Sequence, residues 1–97
     1  MKFDVEIIKN LYGCNDDGTK VVLSEGDEVY FKLDLEHMDL WDKEKYMQKY
    51  PDGWVRGILF HISKAGKRIQ FELFDDRHTY FLLNQKDIFE VSDKKPN

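Results

Sequence analysis

The residues best suited to acid–base or metal chemistry near neutral pH are three histidines, His37, His61 and His78, and they are scattered along the chain. None has the His-Glu-x-x-His spacing that sets two imidazoles on one helix face. His61 and His78 could be joined by Asp75 or Asp76 as ligands if their strands were neighbours. Surface histidines on a β-meander are the commoner outcome, so no metal is expected. Cys14 is the only cysteine. An active thiol needs a neighbouring base or a helix terminus, and Gly13, Asn15 and Asp16 provide neither. Gly53 and Gly57 lack the Lys-Ser/Thr or helix start of a phosphate-cradling loop. No serine stands in a nucleophile elbow. Paired carboxylates are frequent, but with no cleft-forming scaffold they read as a solvated face. The expectation is a chain with no catalytic residue and no cofactor, and not an enzyme.

Binding chemistry is better represented. Between Glu36 and Trp54 the chain gathers Met38, Leu40, Trp41, Tyr46, Met47, Tyr50 and Trp54 beside the carboxylates Asp39, Asp42 and Glu44. Rings and thioethers next to acids suit a basic or proline-containing peptide, and hot spots of recognition are rich in such rings. Leu40, Met47 and Trp54 would serve equally as cover for the core. One helix face cannot bury every ring, which leaves Trp41, Tyr46 and Tyr50 as the candidates for exposure. A second surface is basic: Arg56, Lys64, Lys67, Arg68 and Arg77, interleaved with Phe60, Phe71 and Phe74. Cations with stacking rings bind single-stranded nucleic acid, although these phenylalanines alternate with the charges as core positions do. A third reading uses Asp34, Glu36, Asp39, Asp42 and Glu44 to imitate a phosphate backbone, diluted by Lys43, Lys45 and Lys49.

These groups must be positioned by a small scaffold. The 97 residues allow one core, and seven Phe, five Tyr and two Trp can supply much of its burial. The net charge is −4: residues 1–50 hold seven lysines against twelve carboxylates, and residues 51–97 hold eight cations against seven. Acidity of this kind argues against a phosphate binder. The N-terminus alternates charged and apolar residues, unlike a secretory signal, and no apolar run approaches a membrane span. With one cysteine, this points to a reducing cytoplasm.

Phe3–Lys9 alternates as a strand does. Asn15-Asp16-Asp17-Gly18 is a turn signal, and Val21–Leu23 is expected to return as its partner. Gly26-Asp27 makes a second turn before Val29–Leu35, with Val29, Phe31, Leu33 and Leu35 facing the core. A short helix is expected within 39–50, capped by Asp39 or Asp42 and stopped by Pro51-Asp52-Gly53. A meander follows. Trp54–Ile62 is expected to be buried on much of both faces, Lys64–Lys67 to turn, and Arg68–Phe74 to place Ile69, Phe71 and Leu73 inward. His78–Leu83 comes next, then a helical turn near Asn84–Asp87 and a last strand, Ile88–Val91.

That order of parts resembles the SH3-like barrel superfold, which includes Tudor and Src-homology domains. Gly26-Asp27-Glu28-Val29 looks like the entry to the first barrel strand. Trp54-Val55-Arg56-Gly57 is similar to the aromatic-led second strand of Tudor-type domains, and Asn84–Ile88 sits where such barrels place a helical turn. The resemblance implies a mainly β fold of five to six antiparallel strands. It implies an N-terminal hairpin extension over 1–22, the barrel over 23–91 and a polar tail over 92–97. In such relatives, ligands dock on aromatics around loops in this part of the barrel. The reading is therefore a protein- or peptide-binding module using Trp41, Tyr46, Tyr50, Trp54, Asp39, Asp42 and Glu44, existing as a monomer or weak homodimer.

Overall fold

The computed structural model describes residues 2–5, 10–63 and 68–94. Its elements are β1 (Lys2–Val5), β2 (Asn10–Cys14), β3 (Lys20–Ser24), β4 (Glu28–Leu33), α1 (Lys43–Lys49), β5 (Trp54–Ile62), β6 (Arg68–Leu73) and β7 (Asp76–Asn84). A 3₁₀ turn (Gln85–Asp87) and β8 (Ile88–Ser92) complete the chain. They form two antiparallel sheets, one ordered β1-β2-β3 and one ordered β7-β6-β5-β4-β8. The outer strands β7 and β8 of the larger sheet do not pair with each other among the described residues, so its hydrogen bonding does not close.

The N-terminal segment differs from the expected two-stranded hairpin. Asn10–Cys14 is inserted between the predicted partners, pairing with β1 on one side and β3 on the other. Only Leu11 of β2 is buried, and a five-residue strand with one core residue carries little periodicity to read. The β2–β3 turn forms where Asn15–Gly18 signalled it. Gly18 takes φ +88°, its N–H donates to Asn15 O (2.9 Å), and the Thr19 N–H donates to the Asp17 carboxylate (2.8 Å).

In β4 and β6 the alternation holds. Val29, Phe31 and Leu33, with Ile69, Phe71 and Leu73, are all buried. Phe31, Phe71 and Phe81 stack through the core with ring centroids 4.9 and 5.3 Å apart. Phe3, Leu11 and Leu23 join the same apolar cluster, so both sheets share one core. Gly57 makes this packing possible: a Cβ there would meet the Phe71 ring at 2.1 Å.

β5 is not buried on both faces. Val55, Gly57 and Leu59 face inward while Trp54, Arg56 and Ile58 remain half-exposed. A bulge between Leu59 and His61 then leaves Phe60 and His61 exposed side by side. The run is apolar because its outer face carries unpaired hydrophobic residues. The predicted loop Lys64–Lys67 lies outside the described residues.

Candidate functional site

The segment after β4 is fixed by its backbone at both ends. Leu33 N–H donates to Gly53 O (2.9 Å), and Asp34 N–H donates to Asp87 O (3.0 Å). Leu35 and Met38 then turn into the core. With these anchors inside, Leu40 stays half-buried and Trp41 is 86% exposed. Asp42 occupies the predicted helix cap, but in a left-handed conformation (φ 58°) and with no side-chain cap bond. Its backbone carbonyl instead accepts from Lys45 and Tyr46. Lys49, in the last turn of α1, reaches Asp75 at 2.9 Å. That bond holds Asp75 below the usual carboxylate range and raises Lys49.

Trp41 is the one expected exposure that is found. Tyr46 packs edge-on against Phe81 (5.2 Å), and Tyr50 also packs on the core, where burial pushes its phenol pKa up. Met47 takes the exposed position instead. The correction follows from the direction of α1, whose apolar stripe is led by Tyr46 and Tyr50, four residues apart.

The partner-binding candidates divide between two clefts. One, of about 510 Å³, holds Asp39, Trp41 and Tyr46 together with Met38, Tyr80 and Leu82. Asp87 also lines it, and no Lys or Arg does. The other, of about 360 Å³, brings Tyr50 and Trp54 to Tyr30, Pro51 and Arg56. Asp42 and Glu44 line neither. On the basic surface, Arg56 bonds Glu28 and lies 3.5 Å over the Phe74 ring, and Arg77 bonds Glu72 at 3.0 Å. Phe71 is fully buried. Arg68 is exposed, whereas Lys64 and Lys67 lie outside the described residues. His61 leans toward Glu25 (3.5 Å), and His78 stands on β7. No group of three potential metal ligands occurs among the described residues, and none of their helices is long and apolar enough to cross a membrane.

Tyr80 and Leu82 were not among the residues predicted to form a site. They are 55% and 53% exposed, in a strand whose alternate residues Phe81 and Leu83 are buried. Four consecutive apolar residues in the last strand of a meander were the available signal, since only one face of that strand has a core to cover.

The backbone of β7 is also distinctive. Phe74 N–H donates to Arg56 O (3.2 Å), and Ser63 N–H donates to Arg68 O (3.0 Å). Hydrogen-bonded pairs alternate along an antiparallel ladder, so Ile69 and Phe71 turn their backbone groups toward β7. They face Leu83 and Phe81. Tyr80 and Leu82 therefore direct N–H and C=O away from the sheet, and no partner for them occurs among the described residues. The neighbouring outward amides are already satisfied: His78 N–H donates to Asp76 Oδ1 and Asn84 N–H to Asp87 Oδ2, both at 3.2 Å.

At the other end of the sheet, the outward rung Val91 is filled. Asn15 Nδ2 donates to Val91 O (2.9 Å), and Val91 N–H donates to Asn15 Oδ1 (3.1 Å). Comparison with protein-family models, curated proteins and solved structures finds no match for the chain.

Proposed function

We propose that the protein is a non-enzymatic interaction module that binds a partner protein or peptide in the cleft between the Met38–Tyr46 segment and β7. The exposure of Trp41 carries this reading: a large ring stands in water at the rim of an apolar cleft whose own carboxylates are unopposed by Lys or Arg. The module is proposed to be SH3-like. The order β7-β6-β5-β4-β8 and the 3₁₀ turn before the last strand support that arrangement. Pairing of Arg56 and Arg77 with carboxylates of the same chain favours a protein ligand over nucleic acid, because a phosphate would have to displace them.

The test is affinity capture from the native host's lysate with and without nuclease, using wild type and Trp41→Ala. A partner retained by wild type and lost by the variant, with the melting temperature unchanged, supports the cleft. Retention that depends on intact nucleic acid sinks it.

A further inference from the structure

We infer that β7 accepts an extended cationic segment of a partner as an added antiparallel strand, paired with the open backbone rungs at Tyr80 and Leu82. The inference rests on the Trp41-cleft reading and specifies how that cleft is used. Two adjacent rungs offer two N–H donors and two C=O acceptors, a spacing that an extended backbone matches and a helix does not. Asp76 and Asp87 cap the outward amides on either side, so the opening is short and defined.

Side-chain alternation then divides the work. Residues of the added strand opposite Tyr80 and Leu82 would lie against those exposed side chains. The residue opposite Phe81 would point to the inner side, where Tyr46 packs on Phe81 and Met38 lines the cleft. The charge of the occupant follows from Asp39 and Asp87, both lining a cleft that Lys and Arg do not. Two copies of this chain meeting along β7 would set those acidic clefts against each other, so a foreign basic strand fits where a second copy does not.

The probe is a short capped peptide of alternating lysine and valine, titrated into isotope-labelled protein and followed by amide NMR and hydrogen exchange. The expected result is shifted, newly protected amides at Tyr80 and Leu82 with a perturbed Trp41 indole. N-methylation of the peptide's backbone amides should weaken binding by about tenfold or more, as expected for lost backbone hydrogen bonds. Replacing its lysines by glutamates should abolish binding.

Equal binding of the N-methylated peptide, with Trp41 still perturbed, would overturn strand addition and leave the cleft reading standing. Binding indifferent to Trp41→Ala and remote from Tyr80 would overturn both. No shift at millimolar peptide would overturn strand addition by a cationic segment. Protection at Tyr80 and Leu82 that grows with protein concentration alone would assign the edge to a second copy instead.

Discussion

The two outer strands of the larger sheet have similar sequences and opposite finishes. β7 carries Tyr80-Phe81-Leu82-Leu83, and β8 carries Ile88-Phe89-Glu90-Val91. Both therefore present outward backbone groups beside exposed apolar side chains, the usual hazard of a sheet edge. At Val91 of β8 the hazard is met by a residue 76 positions away: the Asn15 amide supplies the donor and acceptor that a neighbouring strand would have supplied there. At β7 no side chain does this for Tyr80 or Leu82 among the described residues, although His78 and Asn84 on either side are capped. Side-chain capping thus reaches Val91 but not the two rungs beside the Trp41 cleft, and the proposed strand addition at β7 builds on that difference.

The largest expected effect is on the sheet that carries both edges. Gly57→Ala would drive a methyl group into the Phe71 ring, and the cost should be about 3 kcal/mol or more. For a chain of this size, that is a fall in melting temperature of more than about 10 °C. An unchanged melting temperature would mean that the β5–β6 packing is looser than described.

Tyr46→Ala comes next. It removes a ring that packs on Phe81 and the core, and should cost about 2 kcal/mol in denaturant unfolding. Trp41→Ala should stay within about 0.5 kcal/mol of wild type. Equal losses from the two would erase the distinction between a supporting ring and a presented one.

Asn15→Ala tests the contrast between the edges directly. Loss of two hydrogen bonds to Val91 should cost about 1–2 kcal/mol. The Val91 amide should then exchange as freely as those of Tyr80 and Leu82 do in wild type. In wild-type β7, exchange should alternate, with Phe81 and Leu83 slow. A slow Val91 amide in the variant would show that something other than Asn15 guards β8.

The smallest effect lies in the loop that leads to the Trp41 cleft. The hydrogen bond that His37 Nδ1–H donates to the Asp34 carboxylate at 2.8 Å, reinforced by the carboxylate charge, raises the His37 pKa above its ordinary value. A raised folded-state pKa gives stabilisation that is complete below the unfolded value and lost as pH rises through the folded one. The melting temperature of wild type relative to His37→Gln should therefore fall slightly between about pH 6 and about pH 8. A constant difference would show that the pair makes no contribution.

Much of the larger sheet was legible because its strands have one dry face. Val29, Phe31 and Leu33, like Ile69, Phe71 and Leu73, recur at period two, and all are buried. The turns at Gly18 and Gly26 and the 3₁₀ turn at Gln85–Asp87 fell where local backbone chemistry placed them. β2 was missed because one buried residue makes no period. The candidate site was half legible. Trp41 and Asp39 could be found by type and crowding, but Tyr46 and Tyr50 were assigned to solvent when the orientation of α1 turns them toward the core.

Local sequence, then, determined which segments become strands, where they turn and which face of most of them is apolar, since those depend on residues a few positions apart. Tertiary structure decided what those segments meet. That Asn15 caps Val91 of β8, while Tyr80 and Leu82 of β7 have no such partner among the described residues, depends on strand order, register and contacts between residues far apart in the chain. Alternating hydrogen bonds across five strands set the parity of Tyr80 and Leu82, and no local pattern in the chain encodes that parity.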